Sequence, residues 1–226
     1  MNTTTGSFRD RYGPWAVVTG ASRGLGAEYA RQLAARGLNL VLVARSAGDL
    51  ADLAGDLQTR YGSQTRTVAL DLSQDGFLEP LQAVTTGLEV GLLVSNAALS
   101  TVGPLLSRDQ DQLVRQLHLN ARAGLILVRH YGALMVTRGR GGVILLSSGS
   151  ALHGTPWSAN YAGTKAYNLM LAEALWYEWH PLGVDVLGVM AGVTRTPGWQ
   201  ANQPKPDRLV PVMEAAPVVA KSLQAL

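Results

Sequence analysis

Apolar positions along the chain fall into two rhythms. Short, nearly continuous apolar runs occupy Trp15–Thr19, Leu38–Ala44, Thr67–Leu70, Gly91–Ser95, Gly142–Leu146 and Gly183–Met190. Their length and lack of polar alternation suit strands covered on both faces, as in a parallel sheet. Between them lie stretches compatible with helical spacing, at 24–36, 46–60, 74–87, 109–137 and 161–180. Strand and helix in regular alternation predict one doubly wound α/β domain over 1–226, with right-handed crossovers. The alternation stops after Met190. Residues 191–212 hold four prolines (Pro197, Pro204, Pro206, Pro211) and are expected to form an irregular, mobile loop, followed by a helix near 213–225.

Composition narrows the class. Among 226 residues, 47% are hydrophobic and 15% charged, as in a packed globular protein. The net charge of +3 is unevenly placed: residues 112–172 carry +6 and no carboxylate. Their cations, Arg115, Arg122, Arg129, Arg138, Arg140 and Lys165, are dispersed among Leu, Ile and Val, so no nucleic-acid partner is expected. Cysteine is absent, which excludes disulfides, thiolate metal sites and a cysteine nucleophile; no metal is expected, and a reducing cytoplasm is the expected compartment. No apolar segment approaches the ~20 residues of a membrane span, and the first residues lack a signal-type apolar core, so no membrane partner is expected.

The clearest chemistry lies at the first strand-to-helix turn, Thr19-Gly20-Ala21-Ser22-Arg23-Gly24-Leu25-Gly26. Glycines there allow amide N–H groups and a helix start to approach a pyrophosphate. The spacing resembles the Thr-Gly-x-x-x-Gly-x-Gly loop of the classical short-chain dehydrogenase/reductase (SDR) family, a Rossmann fold. About 20 residues on, dinucleotide sites usually place an acid on the adenosine ribose. Here Ala44 is followed by Arg45, and a second cation, Arg23, sits within the loop. A guanidinium attracts a 2′-phosphate that a carboxylate repels, so NADP(H) is favoured over NAD(H). The resemblance implies adenine contacts at Asp71 and Leu72, a bracing role beneath the cofactor for Asn96 with Ala97 and Ala98, and contacts from Gly192, Thr194 and Thr196 near the nicotinamide. Ser95, Ala98 and Ala191 depart from the family pattern.

Tyr161 and Lys165 are four apart in a helix-compatible segment and project from one face. A free phenol has a pKa of ~10, and a nearby ammonium lowers it toward useful acid/base chemistry. Ser148 lies thirteen residues before Tyr161, after the fifth strand, and Asn120 is a polar residue in an apolar segment. Strand alternation sends Ser147 and Ser148 to opposite sides. These four residues resemble the SDR Asn-Ser-Tyr-Lys tetrad. The likeness implies Tyr161 as general acid/base and Lys165 as the residue that lowers its pKa and holds the nicotinamide ribose. It also implies Ser148 as a bond to the substrate oxygen, and Asn120 as the holder of a relay water.

The resemblance therefore implies an NADP-dependent oxidoreductase that interconverts a carbonyl and a secondary alcohol by hydride transfer. The alternatives are a cofactor-binding sensor or scaffold without turnover, and an epimerase or dehydratase on the same fold. Leu152, Trp157, Met190 and Trp199 are the expected substrate-side residues, and their character points to a hydrophobic small molecule. Tyr12-Gly13-Pro14-Trp15 and Glu28-Tyr29-Ala30-Arg31 are similar to the hydroxysteroid and long-chain 3-oxoacyl reductase branch. The family's seventh strand has no counterpart before Leu226, so six strands are expected, or seven with a further tail, and a homodimer rather than the alternative tetramer. Arg115, Arg122 and Arg129 recur every seven residues and are expected to form a stripe facing Glu173 or Glu178 of a twofold mate.

Overall fold

The computed structural model describes residues 7–201 and 211–226. Six parallel strands form its sheet: β1 Trp15–Thr19, β2 Asn39–Ala44, β3 Thr65–Ala69, β4 Val90–Ser95, β5 Gly141–Ser148 and β6 Val184–Ala191, in the order β3-β2-β1-β4-β5-β6. Helices α1 Phe8–Tyr12, α2 Gly24–Ala34, α3 Ala47–Tyr61, α4 Leu78–Thr85, α5 Gln110–Leu117, α6 Ala123–Arg138, α7 Ala159–Trp179, α8 Pro197–Ala201 and α9 Ala215–Ala225 precede, connect or follow them.

Strand alternation sorts the core into two layers. Ala16, Val18, Leu40, Leu42, Leu92, Val94 and Ile144 face one way, against Tyr29 and Leu33 of α2, Leu50 and Leu57 of α3, and Val219 and Leu223 of α9. Val17, Val41, Val43, Leu93, Val143 and Leu145 face the other, against Leu127, Tyr131 and Met135 of α6 and Ala172 of α7. Each such leucine contributes about 1.5–3 kcal/mol by leaving water. α9 is pinned to α2 by a 2.6 Å hydrogen bond between the Tyr29 and Ser222 hydroxyls. The chain runs outward in opposite directions from β1 and β4. Their C-terminal ends therefore open the crevice where doubly wound sheets take ligands.

Two expectations need correction. The stretch 109–137 is not one helix: α5 and α6 are separated by a π-helical turn, His118–Arg122, closed by the Ala123 N–H bonding the His118 carbonyl. Periodicity cannot register the extra residue of such a turn, which is frequent at functional sites. The proline-rich loop is also partly ordered, since Pro197–Ala201 forms α8, with the Gln200 N–H bonded to the Thr196 carbonyl at 3.0 Å. Pro204 and Pro206, with the rest of 202–210, lie outside the described residues, and so does the mobility expected there.

Candidate active site

The glycine loop occupies the crevice at the end of β1. Gly20 and Gly24 have φ of +64° and +57°, conformations that disfavour other residues. Space is as restrictive as angle. A Cβ on Gly20 would lie 2.8 Å from Asn96 Nδ2, and one on Gly26 only 2.1 Å from the Gly20 carbonyl oxygen. Gly24 faces Thr196, 3.0 Å from where its Cβ would stand, so the segment after β6 folds over the loop. Arg23 is the N-cap of α2 and no side chain caps that helix, leaving its first-turn N–H groups for a ligand. This cradle, closed to any Cβ and lined by amides, fits the pyrophosphate of a dinucleotide.

Asn96 braces the loop from below, donating to the Thr19 carbonyl at 2.9 Å and the Gly20 carbonyl at 3.3 Å. The Thr19 hydroxyl in turn accepts from the N–H groups of Asn96 and Ala97, at 2.9 and 3.1 Å, tying β1 to the end of β4. Ala98 continues that segment. Arg45 is exposed at the end of β2, whereas Arg23 donates through Nε and Nη2 to Asp49 at 3.0 and 2.8 Å.

Asp71, expected at the adenine, has both carboxylate oxygens occupied. One accepts from Ser73, and the other pairs with Arg115 at 2.6 Å. Burial pushes this carboxyl up, but the Ser73 and Arg115 bonds outweigh it and hold its pKa below the usual value. Leu72 is buried beside it. Arg122 likewise pairs with Asp75 at 2.6 Å. Two of the three stripe arginines thus meet acids of their own chain, which corrects the expected pairing with Glu173 or Glu178 of a mate; only Arg129 keeps an exposed position without such a partner among the described residues.

Across the crevice, β5 and α7 assemble Ser148, Tyr161 and Lys165. The two serines diverge as strand alternation requires: the buried Ser147 hydroxyl donates to the Lys165 carbonyl at 2.7 Å, whereas the Ser148 hydroxyl accepts from the Ser150 N–H at 3.3 Å and is close enough to the Tyr161 phenol to lower its pKa. Lys165 is only 3% exposed; its Nζ donates to the Leu146 carbonyl at 2.8 Å and lies 5.7 Å from the centre of the Tyr161 ring. Burial lowers the Lys165 pKa to about 8. Burial also raises that of Tyr161, with the Ser148 bond pulling partly back. The net direction at the phenol is therefore upward, opposite to what an adjacent ammonium alone would produce; desolvation dominates.

Asn120, on the π turn, is 2% exposed. Its side chain accepts from the Leu99 N–H at 2.8 Å and donates to the Leu99 carbonyl and the Thr164 hydroxyl at 2.9 and 3.1 Å. Its own carbonyl accepts from Asn168 Nδ2 at 2.9 Å. These contacts make the side chain a clamp on the loop after β4; its amide is committed to protein groups rather than presented to a water.

Gln116 extends the clamp and was not singled out by the sequence. It is fully buried, donates to the Leu99 carbonyl at 3.0 Å and accepts from Asn160 Nδ2 at 2.7 Å. Asn160 immediately precedes Tyr161. The signal that exposes Asn120, a polar residue among apolar neighbours, applies equally to the buried Asn168 but not to Gln116, which stands beside Arg115 in a polar stretch.

The four expected substrate-side residues all lie on segments at this edge of the sheet. Leu152 ends the 3-10 turn Gly149–Leu152, Met190 lies near the end of β6, and Trp199 is half-buried in α8. Trp157 is 64% exposed and has φ of 60°, an outlier for a bulky residue, while its carbonyl accepts from the Gly103 N–H at 2.8 Å. Gly192 is exposed; Thr194 is buried, its hydroxyl bonding the Gly192 carbonyl at 2.9 Å, and Thr196 accepts from the Trp199 N–H at 3.2 Å. Among the described residues, no helix is long and apolar enough to cross a membrane.

Known proteins resemble this chain in sequence and fold. The family model described as short chain dehydrogenase matches residues 14–207. The chain is 33% identical over 198 residues to the 7beta-hydroxysteroid dehydrogenase of Collinsella aerofaciens, covering 88% of this chain and 75% of that protein. It is 36% identical over 189 residues to the very-long-chain 3-oxoacyl-CoA reductase of Neurospora crassa, covering 81% of this chain but 57% of that protein. A short-chain dehydrogenase from Sphingobium yanoikuyae, solved in complex with NADPH, matches with a TM-score of 0.88 at 30% identity, over 94% of this chain and 83% of that one.

Proposed function

Because this chain belongs to the short-chain dehydrogenase family and is an NAD(P)-dependent oxidoreductase acting on carbonyl and alcohol groups, we propose that it uses NADP(H) on a hydrophobic carbonyl compound or secondary alcohol, with Tyr161 as general acid/base. The observation that carries this reading is the meeting of Ser148, Tyr161 and Lys165 across the crevice from a glycine cradle closed to any Cβ.

In this reading Gly20, Ser22, Gly24, Leu25 and Gly26 hold the pyrophosphate, and Arg23 and Arg45 take the 2′-phosphate. Asp71 and Leu72 flank the adenine; Ala97 and Ala98 underlie the cofactor on the Asn96 brace. Gly192, Thr194 and Thr196 lie beside the carboxamide, and Tyr161 and Lys165 hold the nicotinamide ribose. When bound, the cofactor supplies or accepts the hydride.

The proton chemistry falls to the side chains. A half-buried phenol with a raised pKa stays protonated at neutral pH and can donate to a carbonyl oxygen that gains charge. The Ser148 hydroxyl bonds both that oxygen and the phenol. Lys165, fixed by the Leu146 carbonyl, stabilises the phenolate left behind. Asn120 is a positioning residue that holds the Leu99 loop against the catalytic helix.

Three exposed apolar side chains at the site, Leu152, Trp157 and Met190, support a hydrophobic substrate. So do relatives named for a steroid and a very-long-chain acyl substrate. Leu125, Leu134, Met170 and Trp176 expose apolar surface on α6 and α7, which supports a homodimer through that face; the absence of cysteine fits a reducing cytoplasm as its compartment. A panel of ketones, β-keto esters and steroids, followed by NADPH and NADH absorbance, tests the function. Oxidation of NADPH by a bulky apolar ketone is the expected result. Binding of NADPH with no oxidation across the panel would instead identify a sensor or scaffold, and product epimerised without net oxidation would identify the epimerase class.

A further inference from the structure

The Arg23 guanidinium is not waiting free for a phosphate. It spans from the glycine loop to the first turn of α3 and gives two donors to one oxygen of Asp49, at 3.0 and 2.8 Å. That carboxylate is held in place from its own side, because the Ser46 hydroxyl, N-cap of α3, accepts from the Asp49 N–H at 3.3 Å. Ser46 directly follows Arg45, so the acid that holds Arg23 lies on the helix that begins just after Arg45.

The bonds to Arg23 and Ser46 hold the Asp49 carboxyl below its usual pKa, so it is charged at neutral pH. Any anion that reaches Arg23 therefore meets a neighbouring negative charge that already uses its Nε and Nη2 donors. A neutral ribose 2′-hydroxyl meets no such repulsion and finds a carboxylate acceptor instead. Ser22, Arg23 and Asp49 also line a cavity of about 410 Å³, together with Asp52 and Asp56 further along α3.

We propose that Asp49 sets the discrimination between NADPH and NADH by competing with the 2′-phosphate for Arg23. The proposal rests on the NADP(H) reading above and adds a residue that opposes it. The chain's preference for NADPH is then smaller than two arginines without an acid would give, and removing this one carboxylate widens it.

The test measures Kd for NADPH and for NADH by quenching of protein tryptophan fluorescence, in the full chain and in Asp49→Asn. Asparagine preserves the backbone N–H that bonds Ser46, and circular dichroism checks the fold. Expected is tighter NADPH binding by about twofold to fivefold, as for release of one exposed charge pair, with NADH unchanged within about 1.5-fold. Asp52→Asn removes the same charge from the same cavity and is expected to leave the NADPH/NADH ratio unmoved. A wild type that prefers NADPH and an Asp49→Asn variant with the same ratio overturn the proposal alone; so does an equal shift in Asp52→Asn. NADH binding tighter than NADPH before and after Asp49→Asn overturns the NADP(H) reading, and the proposal with it.

Discussion

The two halves of the crevice are built by different means. On the β1–β2 side the chain makes room: glycines stand where a Cβ would meet backbone at 2.1–2.9 Å, and the charged groups there are exposed or half-exposed, Arg23 being paired with Asp49. On the β4–β5 side the chain makes a lattice. Asn120, Gln116, Thr164, Lys165 and Asn168 are all buried, and each is bonded to backbone or to another member. Backbone shape suits a ligand whose phosphates and ribose are always the same. A rigid polar lattice suits chemistry, where a phenol and a hydroxyl must hold their places to a fraction of an ångström. Substitutions on the lattice side should therefore cost turnover, and those on the cradle side should cost binding.

The largest break in that contrast is expected at Tyr161→Phe. Turnover should fall by about 10²–10⁴-fold, the usual worth of a positioned general acid, with the NADPH Kd held within about twofold. A steady-state assay paired with a binding titration separates the two effects. On the cradle side, Gly26→Ala pushes a methyl into the Gly20 carbonyl, and overpacking of this kind costs about 1–3 kcal/mol. A lower Tm and loss of NADPH binding are expected, and an unchanged Tm would contradict the assigned closeness.

Smaller effects sharpen the division. Gln116→Leu removes one of the two amide donors on the Leu99 carbonyl, leaving that of Asn120, and one of the two acceptors of Asn160 Nδ2, leaving the Leu113 carbonyl, at about 0.5–1.5 kcal/mol per lost bond. We expect kcat to fall by about tenfold with little change in cofactor Kd, because the clamp holds the helix turn before Tyr161. Arg45→Ala should do the reverse, weakening NADPH by about tenfold and sparing both NADH and kcat, a fluorescence titration being the check.

The mildest signature is in pH. The Lys165 pKa lies at about 8 in the folded chain, below its unfolded value, so between these two values the unfolded chain binds more protons and stability rises with pH. Reduction should decline above about 8 as the ammonium is lost. In Lys165→Met, thermal melts across that range should lose the rise.

Much of this is legible in the sequence alone. The strand runs were found within a few residues, because buried parallel strands are nearly uninterrupted apolar segments. Ser148 was separable from Ser147 by strand alternation alone. What escaped is of two kinds. The π turn at His118–Arg122 inserts one residue into a helix, which leaves the apolar pattern readable as a single segment. The pairings Arg115–Asp71, Arg122–Asp75 and Arg23–Asp49 join residues far apart in the chain, and charge along a sequence does not say which acid a given arginine will meet. The uneven charge of 112–172 thus has a local explanation in part: some of its cations are answered by acids following β3 in the same chain.

The central claim is that this crevice moves hydride directly between a nicotinamide and a carbonyl carbon. The most direct test incubates the chain with a bulky apolar ketone and NADPH deuterated at its transferring carbon, then weighs the alcohol product by mass spectrometry. One deuterium on the carbinol carbon, lost in Tyr161→Phe only through lack of product, is the predicted result. Alcohol formed without deuterium, or NADPH bound and never consumed by any carbonyl compound, would contradict it.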